Sequence, residues 1–316
     1  IRAHEDAIHV VTLSPDTNST NTRNTNSQGA DRYRVTVTLQ WPDPTPIDST
    51  NKIYKPETIG GWPCMCEENW DAHDKKIRAL LHHELKAAVG FLPPHAREYL
   101  MKTDPTPFYI NSTAPQYGPR VAPITAEGFC YHPDSRWLRD NGMSQSKAKC
   151  IEMYQVSEYY EDLEIWGPGG SLLHELSHAY HDKMVEHGFD NALIKKCYRE
   201  AMAEGLYDNT EVRNGGCCSE QEQRAKHEIE PAYACTDPEE YFAELSTAFL
   251  GGLDPNQEYN KWQPFNRAQL RKFDPRAYEM LKIIWKVDCD DDDDQDQDQD
   301  QDEKKETREE PEIDLT

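Results

Sequence analysis

The segment His174-Glu175-Leu176-Ser177-His178 constrains this chain more than any other feature, because it predicts a helix carrying two imidazoles one turn apart. Residues four positions apart lie about 40° from each other around a helix, so both rings can reach one tetrahedral metal ion. Glu175 lies beside the first ring, where a carboxylate can act as a base toward a water molecule. The spacing therefore predicts one zinc ion with two histidine ligands and a general base.

A catalytic zinc site also needs a third protein ligand and an open fourth position. In one class of zinc proteases a Gly and a third His follow the second ligand by three and six residues, but His181 and Met184 occupy those positions here. The sequence therefore excludes that class. Because His181 falls on nearly the same helix face as the ligand pair, we expect it to contact the substrate or a metal ligand.

Two downstream segments offer the third ligand, and each is a Glu followed by another Glu four residues later. In the first pair, Glu200 is the ligand candidate. In the second, Glu240 is the candidate and Glu244 can orient a ligand imidazole through its free N–H. Asp237 and Pro238 predict a helix start there, so Glu240 could also serve only as a capping carboxylate. Tyr233 favours Glu240, because a phenol near the metal can donate to an oxyanion.

The combination of His174-Glu175-x-x-His178, Tyr233 and Glu240-x-Phe242-Ala243-Glu244 resembles the catalytic domain of anthrax lethal-factor-type gluzincins. The resemblance implies that Glu240 binds zinc and that Tyr233 assists the transition state.

A longer resemblance runs from about Trp62 to Trp285 and is similar to a family of secreted fungal and bacterial metallopeptidases, some labelled conidiation-specific proteins. The strings that carry it are Tyr131-His132-Pro133, the segment from His174 to Asp182, Gly205-Leu206-Tyr207-Asp208, Tyr241-Phe242-Ala243-Glu244, and the segment from Pro264 to Leu270. This resemblance implies a zincin-like fold.

The pattern of strands and helices predicts an α+β protein with a small sheet, an active-site helix and a downstream helix that carries the Glu ligand. We predict three regions: a hairpin and linker at 1–61, a zincin-like catalytic domain at 62–287, and a disordered acidic tail at 288–316. Short strands at 108–110, 128–131 and 150–156 precede the zinc helix. By its order in the chain, 150–156 is the predicted edge strand that pairs with an extended peptide.

The chain of 316 residues has a formal charge of −24, and the charge is uneven. Residues 288–316 hold 16 acidic and 3 basic side chains, so the tail carries more than half of the total. Such a tail can bind calcium or a charged surface weakly. Because clustered Lys and Arg are lacking, we expect no nucleic-acid partner.

Several features predict a secreted protein. The chain begins at Ile1, has nine cysteines, and has no apolar stretch near 18 residues that would span a membrane. Sequons at Asn18 and Asn111 predict glycosylation, and the cysteines predict disulfide bonds.

Together these observations predict a secreted zinc metallopeptidase that hydrolyses a peptide or protein substrate. His174, His178 and Glu240 would bind the ion, and Glu175 and Tyr233 would act on the substrate. The alternative is a non-catalytic surface or attachment protein with a structural or vestigial zinc site. The two classes differ in the effect of Glu175→Gln, which abolishes hydrolysis only in an enzyme.

Overall fold

A computed structural model describes residues 52–72, 74–113, 128–140, 144–213 and 227–288, together with the backbone of strands at 8–15 and 33–40. The protein is a mixed α+β structure with a small sheet, as the sequence predicts. The chain forms two compact units, one of residues 1–90 and 99–164 and the other of residues 91–98 and 165–316.

The first unit contains a five-stranded mixed sheet in the order β3-β4-β5-β7-β6 and a separate hairpin, β1-β2. The strands are β1 Ile8–Pro15, β2 Tyr33–Gln40, β3 Tyr54–Ile59, β4 Trp62–Glu67, β5 Phe108–Ile110, β6 Phe129–Tyr131 and β7 Ile151–Met153. Its α-helices are α1 Lys75–Phe91, α3 Ser135–Asp140 and α4 Tyr159–Ile165, with a π-helical turn at Tyr99–Thr103 and 3-10 turns at Gln145–Lys147 and Val156–Glu158.

The order of the strands contradicts one sequence-based expectation. The strand predicted at 150–156 is β7, which is hydrogen-bonded to β5 on one side and to β6 on the other. It is therefore not an edge strand, and the prediction that it pairs with a peptide was wrong, because order along the chain does not determine order in a sheet. The predicted boundary at 61/62 falls in the Gly60-Gly61 turn between the paired strands β3 and β4.

A cluster of buried polar side chains lies at β7, and we call it the sheet cluster: Asn111, His132, Lys147 and Glu152. Glu152 accepts hydrogen bonds from Lys147 Nζ at 2.5 Å, from Asn111 Nδ2 at 3.0 Å and contacts His132 Nε2 at 2.9 Å. Burial would raise the pKa of Glu152, but the His132 hydrogen bond and the charge of Lys147 outweigh it and lower the pKa to about 2. The negative charge of the buried Glu152 carboxylate is therefore balanced by the positive charge of Lys147.

The second of the two sequons lies in this cluster. Asn111 is fully buried, and its Nδ2 donates to Glu152 and to the Met153 carbonyl at 2.8 Å. A glycan on this nitrogen would disrupt both bonds, so glycosylation at Asn111 is incompatible with the folded unit. Asn18 lies outside the described residues.

Six of the nine cysteines lie in the described part of the chain, and these six form no disulfide with one another. Burial raises the pKa of Cys64 to about 12, which keeps that thiol protonated. Cys217, Cys218 and Cys289 lie outside the described residues, as does the acidic tail from 289 onward. Secretion stays a prediction.

The second unit is mainly helical. It contains α2 Pro94–Glu98, α5 Gly170–Met184, α6 Ala192–Ala203, α7 Pro238–Leu250, α8 Arg267–Phe273 and α9 Pro275–Trp285, with 3-10 turns at Gly188–Asp190 and Tyr233–Cys235. A two-stranded sheet of β8 Thr210–Arg213 and β9 His227–Glu230 completes it. None of the helices in the described part of the chain has the length and apolar character that crossing a membrane requires.

Helix α7 is the centre of this unit, because every residue from Tyr241 to Leu250 is buried. A helix that is buried all round must pack against several neighbours. Trp285 of α9 stacks on Tyr180 of α5 at 3.9 Å and on Phe242 of α7 at 5.8 Å between ring centroids. These rings fix α5 against α7, the two helices that carry the predicted zinc ligands.

Candidate metal centre

The two histidines lie on the buried side of α5. The helix starts after Gly169, whose φ of 72° suits a residue without a side chain. His174 and His178 are one turn apart and only 6% and 8% exposed, and their ring centroids lie 4.8 Å apart. The predicted helix is therefore confirmed, and both imidazoles reach the same point.

Glu240 enters from the first turn of α7. Asp237 caps this helix, since its Oδ1 accepts the Glu240 N–H at 2.8 Å, and Pro238 occupies the first turn as predicted. The Glu240 carboxylate does not serve as the cap, because its Oε2 contacts the two histidines instead. The capping alternative for Glu240 is thus excluded.

Three possible metal-ligand atoms, two imidazole nitrogens and one carboxylate oxygen, meet between α5 and α7. His174 Nε2 lies 3.1 Å from His178 Nε2 and 3.1 Å from Glu240 Oε2, and His178 Nε2 lies 3.2 Å from the same oxygen. Three ligands at about 2.0–2.1 Å from a tetrahedral zinc ion are roughly 3.3–3.4 Å apart, so the triangle is close to one face of such a tetrahedron. The three residues form a candidate metal site.

The charges at this triangle also favour a cation. Burial would lower the pKa of His174, but its contacts with Glu240 and Glu244 outweigh burial and raise the pKa well above the ordinary value. Burial would raise the pKa of Glu240, and the hydrogen bonds with His174 and His178 instead hold it far below its usual range. Lone pairs that converge in a buried site require a proton or a metal ion between them.

Tyr233 lies in the 3-10 turn that precedes α7, and its hydroxyl donates to the other oxygen of Glu240, Oε1, at 3.2 Å. Its ring centroid lies 6.3 Å from that of His174, and the side chain is 46% exposed. Burial, Glu240, Glu175 and Glu244 together raise the pKa of Tyr233. The phenol therefore stays protonated near neutral pH and remains a hydrogen-bond donor beside the triangle.

Glu175 is partly exposed on α5, directly after His174. Its charge is one of the causes that raise the pKa of Tyr233, after burial and Glu240. The predicted roles of Glu175 as a base and of Tyr233 as a donor to the substrate stay predictions.

Glu244 is one helical turn after Glu240 and is 1% exposed. Its Oε1 lies 3.2 Å from His174 Nδ1, on the side of the ring opposite the triangle. Its Oε2 accepts a bond from Asn260 Nδ2 at 3.3 Å. A carboxylate in this place favours the tautomer with the proton on Nδ1, which leaves Nε2 free to bind a cation. Sequence reasoning missed Asn260, because it lies in a loop 16 residues beyond its partner.

The structure does not bring the other two candidates to the triangle. His181 is fully buried, with its ring centroid 5.0 Å from Phe189 and 4.7 Å from Phe242, so it is not accessible to a substrate. Burial lowers the pKa of His181 to about 3, and His178 adds to this effect. Glu200 lies on α6, and its side chain is 45% exposed with Lys196 at 3.9 Å. Among the described residues only His174, His178 and Glu240 form a candidate metal site, and Glu200 is not part of it.

The chain matches no protein-family model, no curated protein and no solved structure.

Proposed function

We propose that the protein is a zinc metallopeptidase with a zincin-like fold, and that it acts outside the cell on peptide or protein substrates. The observation that carries the proposal is the triangle of His174 Nε2, His178 Nε2 and Glu240 Oε2, whose sides measure 3.1–3.2 Å. Two imidazoles and one carboxylate are a donor set of catalytic zinc sites, which leave the fourth position open. Calcium and magnesium prefer oxygen ligands, so the two histidines favour zinc.

When bound, a zinc ion would polarise a substrate carbonyl and lower the pKa of a water molecule toward 7. Glu175 would take the proton of the attacking water and pass it to the leaving amine, because it is the carboxylate beside the ligand pair. Tyr233 would donate its O–H to the developing oxyanion, exchanging its present bond with Glu240 for that one. Glu244 would hold His174 in the tautomer that binds metal.

The experiment that tests this function compares the parent with Glu175→Gln. The variant keeps all three ligands and loses only the base, so we expect one zinc per chain and a loss of peptide hydrolysis of about 10²–10⁴-fold. Hydrolysis would be measured on a peptide library with zinc-loaded protein. Glu186→Gln is the matched control, since Glu186 lies just beyond α5 and its side chain is 85% exposed.

If the zinc-loaded parent cleaves nothing, or if Glu175→Gln cleaves as fast as the parent, the peptidase proposal fails. A parent that binds zinc but hydrolyses no peptide would favour the non-catalytic surface protein instead.

A further inference from the structure

A chain of contacts extends from the candidate metal site into the loop between α7 and α8. His174 Nδ1 lies 3.2 Å from Glu244 Oε1, an ion-pair distance without hydrogen-bond geometry. Glu244 Oε2 accepts a hydrogen bond from Asn260 Nδ2 at 3.3 Å. All three residues are at most 6% exposed, so these contacts are shielded from bulk water. Asn260 is thus linked to a metal ligand through one carboxylate.

The orientation of the Asn260 amide follows from its neighbours. Besides Glu244 Oε2, its Nδ2 donates to the carbonyl of Trp262 at 2.9 Å and lies 3.5 Å from that of Pro264. All three neighbours are oxygen acceptors, so only the nitrogen fits there. The Asn260 backbone is held as well, since its N–H donates to the Phe265 carbonyl at 2.8 Å.

The oxygen at the other end of the same amide, Asn260 Oδ1, is buried and accepts no hydrogen bond from the described residues. A buried oxygen without a hydrogen bond lowers the stability of the folded protein, and an apolar side chain of the same size would avoid this loss. We take this as a sign that position 260 holds an amide for its donor end.

We propose that Asn260 is a positioning residue of the metal site, which acts through Glu244 to fix the ring of His174. This inference rests on the proposed function. With its Oε2 held by Asn260, the Glu244 carboxylate keeps Oε1 directed at His174 Nδ1, and His174 Nε2 stays in the triangle. Without the amide, Glu244 would be free to rotate away from the ring.

The test measures zinc affinity and the visible absorption spectrum of the Co²⁺-substituted protein, which reports ligand geometry without activity. Asn260→Asp replaces the donor with an acceptor, and Asn260→Leu removes it without adding charge. We expect each to lower zinc affinity by about tenfold and to change the cobalt spectrum. The Leu variant decides the outcome if the Asp variant does not fold.

Asn266→Asp is the matched control. Asn266 is a buried residue of the same loop, and its Nδ2 donates to the carbonyls of Pro255 at 3.2 Å and Gln257 at 2.9 Å. It makes no bond to Glu244. This variant therefore removes comparable bonds from the loop, and we expect less than about a twofold change in zinc affinity.

A double-variant comparison separates positioning from general stability. If Asn260 acts through Glu244, Asn260→Leu should cost less than about twofold in zinc affinity once Glu244→Gln is present. An equal cost in both backgrounds, an unchanged cobalt spectrum, or an equal effect of Asn266→Asp would overturn the inference. A parent that binds zinc but cleaves no peptide would overturn only the peptidase function, whereas a parent that binds no metal would overturn both.

Discussion

The two units each contain a buried cluster of polar side chains, and the clusters differ in where their positive charge comes from. In the sheet cluster, Lys147 is 2.5 Å from the buried Glu152. At the candidate metal site, the carboxylates of Glu240 and Glu244 contact no Lys or Arg among the residues that the structure describes. The partners of Glu240 Oε2 are nitrogens of His174 and His178. The sheet cluster therefore contains a lysine that balances the buried carboxylate, whereas the candidate metal site requires a proton or a metal ion to balance Glu240.

The largest change in stability is expected when Lys147, the cation of the sheet cluster, is replaced. Lys147→Met leaves Glu152 buried without its cation, so the free energy of unfolding should fall by about 3–5 kcal/mol. Urea unfolding would measure it, and zinc affinity should stay unchanged. Lys55→Met is the control, because the Lys55–Glu68 pair is exposed and such pairs contribute about 0–1 kcal/mol. Equal effects of the two variants would show that the sheet cluster is not maintained by its ion pair.

Acid should weaken the sheet cluster in a defined range of pH. The pKa of Glu152 is lowered from 4.5 to about 2 in the folded protein, so its contribution is present above pH 4.5 and is lost as the pH falls toward 2. The shift corresponds to about 3 kcal/mol. Unfolding free energies measured across this range should fall less steeply in Glu152→Gln than in the parent. If the unfolding free energies of the parent and of Glu152→Gln changed equally with pH, Glu152 would not be charged in the folded protein.

A smaller effect is expected at Glu244. Glu244→Gln removes the negative charge beside His174 Nδ1 and keeps the three ligands, so zinc affinity should fall by about 10–100-fold without being abolished. Competition with a chelator would measure it. Glu279→Gln on α9 is the control, since that side chain is 62% exposed. If Glu244→Gln kept the full zinc affinity of the parent, Glu244 would not be needed to hold His174 in the tautomer that binds metal.

The elements around the metal site could be predicted because their signals are local. The spacing of His174 and His178 on one helix face follows from the repeat of 3.6 residues. Asp237 and Pro238 mark the start of α7, and the structure has both in the predicted places. The choice between Glu200 and Glu240 depended on a tyrosine and a resemblance, and the candidate metal site of the structure contains Glu240.

What the sequence did not predict depends on residues far apart in the chain. Asn260 reaches Glu244 only because the loop after α7 folds back on the helix. Strand β7 is not at the edge of the sheet because β6 pairs with it, and the paired residues Tyr131 and Ile151 are 20 positions apart in the chain. Asn111 carries a sequon, but its contact with Glu152, 41 residues away, buries it. No local pattern encodes such contacts.

The most direct test of the account is the zinc content of the purified protein, measured by metal analysis on the parent, Glu240→Gln and Glu200→Gln. We predict one zinc per chain in the parent and in Glu200→Gln, and selective loss in Glu240→Gln, because only Glu240 completes the triangle with His174 and His178. A parent without zinc after metal-replete purification, or equal zinc content in all three proteins, would contradict the claim that these three residues bind the ion.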